Sequence, residues 1–307
     1  MRALNLHAGL LLALCAVACV EPEDKASRVH DFRVLGLATE PPELMAPACD
    51  ASAESGAALA APVTFRALLV DPSGGGRAID YSLWACADPD DQTCADTAQR
   101  VLLAQGSTTE AELSLPLRPG DAHVEDGTPL LARVLQADPY QGLGGLRMPL
   151  VLHARAGGEQ VYAQKLMVFS CPLVPGMNAN QNPVLPELNL DGAPWTARTV
   201  PEPHGLGPFV VTLDDLTDRQ EAYVVPGLRQ ESVRLTESWK VSWHASFGEF
   251  SPEETGGAGL GGEPGRHRTE WKPPEQGGDA REVLIWAVVR DGRGGQSWVG
   301  RRARWSP

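Results

Sequence analysis

Residues 238–250, SWKVSWHASFGEF, carry Trp239, Val241, Trp243, Ala245 and Phe247 at every second position. An extended chain turns successive side chains to opposite faces, so this spacing gathers five apolar groups on one side of a strand. The same period recurs along the chain. Val63, Phe65, Ala67 and Leu69 share a face ahead of a turn at Asp71 to Gly76. Ile79, Tyr81, Leu83 and Ala85 share another, with Trp84 and Cys86 opposite. Phe32, Val34 and Gly36 alternate with Arg33, Leu35 and Leu37 until Pro41-Pro42 ends the run. Leu150, Leu152 and Ala154 lead into Gly157-Gly158, and Tyr162, Gln164, Leu166 and Val168 return, which predicts a hairpin. TPLLARVLQADP (128–139) is one more short apolar run. With 32 Gly and 26 Pro, turns are frequent and long helices have little room. No convincing amphipathic helix interrupts the pattern, and seven or so short strands in the first half predict a β-sandwich.

Residues 172–195 are rich in Pro, Asn and Gly, and a domain boundary is expected near Gly176. The second half repeats the style, with FVVTLDDLTD and EAYVVPG as further strand segments. It closes on a hairpin whose turn is Asp291 to Gly295. In that hairpin Val283, Ile285, Ala287 and Val289 alternate with Leu284, Trp286 and Val288. Both faces are apolar, so the strand is expected to be central and buried on both sides. The expected architecture is all-β, with two tandem immunoglobulin-like β-sandwich domains at 31–176 and 177–307.

Four stretches carry a resemblance: RVLGLATEPPEL, VTFRALLVDPSGG with DYSLWAC, NPVLPELNLDG, and WHASFGEF with TEWKPPEQGG and LIWAVVRDGRGGQSW. Together they resemble a group of Gram-negative envelope lipoproteins with tandem immunoglobulin-like or PKD-like sandwiches. The likeness covers most of residues 30–307. Its motifs are strand and turn patterns, so it implies architecture and brings no functional residue with it.

The N-terminus fits that setting. Arg2 precedes an apolar stretch, Ala8 to Val17, too short to span a bilayer, and Ala16-Val17-Ala18 supplies small residues at −3 and −1 of a cleavage site. Residues 1–18 are expected to be a signal peptide. The site resembles a bacterial lipobox, which implies a lipid on Cys19 and membrane attachment without a spanning helix. Residues 19–30 are expected to be a tether lifting the first domain off the membrane. Val20, not Asp, follows the cysteine, which favours the outer membrane. A soluble secreted or periplasmic protein is the alternative.

The formal charge of −13 excludes a general nucleic-acid or anionic-membrane binder, since both require a basic surface. Removing residues 1–18 takes away Arg2 and leaves 25 basic residues against 39 acidic ones, or −14. Cys49, Cys86, Cys94 and Cys171 then make an even set in an exported chain, with three possible connectivities. Cys86–Cys94 closes the short polar loop ADPDDQT, which leaves Cys49–Cys171. With no Cys-x-x-Cys and no histidine near them, zinc is not expected.

Other chemistry is sparse, and no cofactor is expected. GAGLGG (257–262) matches G-x-G-x-x-G, but no strand precedes it and no helix follows, so it reads as a loop. No G-x-S-x-G or H-E-x-x-H occurs, the histidines are scattered, and His244 is expected to be exposed. A hydrolase is therefore a distant alternative to a non-catalytic module. Asp88, Asp90, Asp91 and Asp96 form a weak calcium candidate without EF-hand spacing. Seven of eight tryptophans follow the boundary. Trp239, Trp243 and Trp286 fit a core. Trp271, Trp298 and Trp305 are possible binding residues for an envelope protein or glycan if they stand exposed together. Arg290, Arg293, Arg301, Arg302 and Arg304 add a local positive patch able to dock an acidic partner.

Overall fold

A computed structural model describes residues 25–256, 267–274 and 279–307. The expected signal peptide, Cys19 and the GAGLGG segment lie outside the described residues.

The fold is all-β. In the first half the strands are β1 (Arg33–Glu40), β2 (Glu43–Met45), β3 (Val63–Val70), β4 (Ile79–Cys86), β5 (Arg100–Thr108), β6 (Glu112–Leu117), β7 (Leu146–Ala156) and β8 (Glu159–Ser170). They form a sheet of order β1-β3-β6 and another of order β2-β8-β7-β4-β5. Between them lies one core, which takes Phe65, Leu69, Leu83, Leu150, Leu152 and Phe169 from both sheets. The alternation therefore holds as read in β3, β4 and β7. In β8 the phase is opposite: Lys165, Met167 and Phe169 go inward, while Tyr162 points out.

Two short helices, α1 (Ala53–Leu59) and α2 (Leu130–Ala137), correct the expectation of none. The α2 segment is the apolar run at 128–139. Leu130 and Val134, four residues apart, are its buried contacts, a helical spacing rather than a strand one.

The second half contributes β9 (Leu188–Leu190), β10 (Ala193–Trp195), β11 (Phe209–Leu213), β12 (Ala222–Pro226), β13 (Ser232–Thr236), β14 (Lys240–Ala245), β15 (Glu249–Ser251), β16 (Glu254–Gly256), β17 (Arg268–Lys272), β18 (Arg281–Arg290) and β19 (Gln296–Trp305). Sheets of order β10-β9-β11-β17-β15 and β16-β14-β18-β19 enclose a second core. β12 and β13 form a separate two-stranded hairpin. The expected strand at 239–247 ends at Ala245. Gly248, with φ of 77°, turns the chain so that β15 joins the other sheet. A Cβ there would meet the Lys272 carbonyl oxygen at 2.5 Å, so the turn requires glycine.

β18, the first strand of the terminal hairpin, is central and buried on both faces, as its composition implies. One face fills the second core. The other, Trp286 and Val288, meets Val29, Leu35, Leu68 and Val70. The two halves are thus packed against each other through the outer faces of β1, β3 and β18.

The segment 25–30 is not a free tether. Ser27 and Val29 exchange backbone bonds with Ala245 at 2.8 Å, and Val29 is buried between the halves. His244, expected to be exposed, is covered by this segment, and its Nδ1 lies 3.2 Å from the Ala26 oxygen. Both disulfides pair as expected, Cys49–Cys171 and Cys86–Cys94.

Candidate functional site

The outer face of the five-stranded sheet in the first half is open beside the Cys86–Cys94 loop, which covers Val151 and Gln164. Antiparallel register sets its residues in rows across the strands. Gln105, Ser82, His153 and Tyr162 stand side by side, and Ser107, Asp80, Arg155 and Gln160 form the next row. Neighbouring strands are about 4.8 Å apart, so each row of four spans roughly 14 Å. The rows border an open depression of about 410 Å³ lined by Asp80, Tyr81, Ser82, Gln105, Gly106, His153 and Arg155.

Its polar groups are of mixed kind. His153 and Tyr162 stack with parallel rings 4.2 Å apart, and Tyr162 remains 46% exposed. His153 Nε2 lies 3.4 Å from Gln160 Oε1. Ser82 Oγ accepts from Trp84 Nε1 at 3.2 Å, and the Arg100 guanidinium covers the Trp84 ring at 4.3 Å. Asp80, Ser82 and His153 share the depression, yet the contacts of Ser82 and His153 run to Trp84, Gln160 and Tyr162 rather than to one another. A nucleophile–base–orienter chain needs hydrogen bonds among its three members. The arrangement offers donors, acceptors and an aromatic face to something laid across the strands.

A second polar cluster joins the halves. Lys165, buried, donates to the Gly294 and Leu166 carbonyls, and burial pulls its pKa down to about 8 despite the nearby Asp291. Asp291 accepts from the amides of Arg293, Gly294 and Gly295 and from Asn180 Nδ2 at 2.7 Å. Glu237, its pKa raised by burial, accepts from Trp239 Nε1 and pairs with Arg293 at 3.2 Å. Most of these groups are bound to one another, with Asn180 Oδ1 left unpartnered, and Glu237 also borders a shallow depression of about 310 Å³ beside Glu221, Asn182 and Arg219.

The residues singled out from sequence fall elsewhere. Trp271 and Trp305 are 0% exposed and donate to the Phe247 and Gly205 carbonyls. Trp298 lies at the junction of the halves, with Arg66 over its ring at 4.9 Å. The three do not form an exposed strip, because the odd residues of β19 and Trp271 of β17 face the core. The arginine patch is also divided. Arg290 reaches Ser242 and the Leu35 carbonyl, Arg293 pairs with Glu221 and Glu237, and Arg301 with Glu187 and the Trp195 carbonyl. Arg302 is exposed, and Arg304 pairs with Glu202 at 3.4 Å.

The acidic loop stays at the surface, and three of its carboxylates are taken up by the loop's own amides. Asp88 accepts from the Asp90 amide, Asp91 from Thr93 and Ala95, and Asp96 from Ala98. These bonds hold the Asp91 carboxyl below its usual range against the opposing effect of burial. Among the described residues no three ligating side chains gather around a metal position.

No protein-family model matches the chain, and no curated protein does. Among solved structures, dimeric latent PorU from Porphyromonas gingivalis is similar at 9% identity and a TM-score of 0.24, over 91% of this chain. The chain spans 24% of that protein's length.

Proposed function

We propose that this chain is a lipid-anchored protein of the bacterial envelope, built of two tandem immunoglobulin-like sandwiches, that acts as a non-catalytic binding module. The lipid sits on Cys19 and the outer membrane is the favoured location. The observation that supports binding is the open outer face of β4, β5, β7 and β8. Protein interfaces centre on buried apolar anchors. Here the floor is Ser82, Gln105 and Asp80, flanked by His153, Arg155 and the exposed Tyr162 ring. Hydroxyl, amide, carboxylate and guanidinium groups beside an aromatic face suit a polysaccharide, which offers hydroxyls and flat C–H faces together.

The test is binding of the full-length protein to envelope polysaccharide fractions, compared with Tyr162→Ala and Gln105→Ala. Both side chains are on the outer face, so both variants should stay folded, with Gln105→Ala costing under about 0.5 kcal/mol and Tyr162→Ala up to about 1.5 kcal/mol for the ring stacked on His153. Retention should fall several-fold in each variant. Equal retention by wild type and both variants would remove this face from the proposal.

A further inference from the structure

The route from Cys19 into the fold is short, and its end is fixed. Lys25 pairs with Glu249 at 2.6 Å, Ser27 and Val29 bond to Ala245, and Arg33 reaches the Ala26 oxygen at 3.4 Å. Lys25 is therefore held on the second half of the molecule. The six residues from Cys19 to Lys25 reach at most about 21 Å fully extended and on the order of 14 Å as a flexible coil.

Strand direction shows which end of the molecule this is. β1 begins just after Val29 and ends at Glu40, where Asn182 bonds the Thr39 carbonyl and Glu40. β18 passes Ala245 at Ile285 and ends at the 291–295 turn, where Asn182 accepts from the Gln296 amide. The two strands thus run the same way. Ser73, bonded to the His30 oxygen, and Glu159, accepting from the Phe32 amide, mark the same starting end on the first half. The opposite end carries the 291–295 turn and the β12–β13 hairpin. That hairpin is held by Ser232 on the Pro175 oxygen and by Tyr223 under Arg293 at 4.1 Å. Leu228 at its tip is fully exposed.

We propose that the Lys25–Glu249 end rests on the lipid headgroup layer and that the 222–236 hairpin stands at the end farthest from the membrane. The orientation rests on the lipid anchor at Cys19 and adds to it the face that meets the bilayer. The near end is charged but paired, through Lys25 with Glu249, Arg33 with Asp31, and Arg77 with Asp71 and Glu159. With these charges paired, the tether rather than attraction to anionic lipid sets the contact.

The test places a fluorophore on Ala78→Cys, Glu282→Cys or Leu228→Cys in the full-length lipidated protein. Ala78 and Glu282 are exposed at the near end, beside the starts of β4 and β18. The protein is bound to phosphatidylcholine vesicles that carry a headgroup-linked quencher. Quenching at positions 78 and 282 should exceed that at 228 several-fold. Equal or stronger quenching at 228, with the lipid adduct on Cys19 present in the intact mass, overturns the orientation alone. Absence of the adduct, with no quenching at any position, overturns both the anchor and the orientation.

Discussion

Alternation phase decides what each tryptophan does. Trp271 and Trp305 fill the second core, whereas Trp298, on the opposite face of β19, closes the junction against Gly36. A Cβ at Gly36 would stand 2.7 Å from Trp298 Cε3, while Arg66 lies over the same ring. Gly36→Ala should therefore cost about 1–3 kcal/mol through overpacking. Gly56, inside α1, has nothing within 4 Å of its missing Cβ. Gly56→Ala should stabilise by about 0.5–1 kcal/mol from helix propensity. Urea unfolding of the two variants checks both signs. The tryptophan content was visible in the sequence, but their separation was not. It depends on which strand neighbours which, and Trp298 meets Gly36 across 262 positions. The open face was half visible: Asp80 and Ser82 alternate with Ile79, Tyr81 and Leu83, and His153 and Arg155 with Leu152 and Ala154. Only the register of β4 with β7 brings those polar residues together.

At the scale of elements, apolar period found most strands, and local competition explains the exceptions. The run at 130–137 has the i, i+4 pair Leu130 and Val134, and its reading as extended chain overlooked that spacing. β8 is amphipathic in both phases, so only its partner β7 decides that Met167 and Phe169 go inward. The segment 25–30 lacks periodicity because its order comes from β14, not from itself. His244 is the sensitive point of that contact. Burial lowers its pKa from 6.5 to about 4, helped by Arg290 and Arg33 nearby and opposed by the contact to the Ala26 oxygen and by Glu254. The folded state then binds fewer protons than the unfolded state between those values, so stability falls as pH drops from about 6.5 to 4. The full shift corresponds to about 3 kcal/mol, an upper figure because the ring keeps some solvent contact. His267, also lowered by burial, acts in the same direction. Urea midpoints at pH 7.5 and 4.5 should lie closer together in His244→Gln than in the wild type. An unchanged gap would assign the acid sensitivity elsewhere.

For the molecule as a whole, the double-faced β18 is the most informative element. Its second apolar face was legible in the sequence, but its partner was not. That partner is the first half, and the polar cluster of Lys165, Asp291 and Asn180 sits beside the same junction. Lys165 titrates near pH 8 when folded and near 10.5 when unfolded. Stability should rise as pH passes from about 8 to 10.5, because the unfolded chain then holds the extra proton, and Lys165→Met should remove that rise. The disulfides act on the unfolded chain instead. Cys49–Cys171 joins residues 122 apart and Cys86–Cys94 residues 8 apart. Loop-closure entropy assigns about 5 kcal/mol to the long bridge and about 2.5 kcal/mol to the short one. Cys49→Ala with Cys171→Ala should therefore destabilise about twice as much as Cys86→Ala with Cys94→Ala in urea unfolding. The short bridge also packs with Trp84 and Val151 next to the open sheet face. If the short-bridge variant loses as much stability as the long-bridge one, packing at that loop outweighs chain entropy. Polysaccharide retention should then fall in the same variant, because Trp84 holds Ser82 through its indole nitrogen.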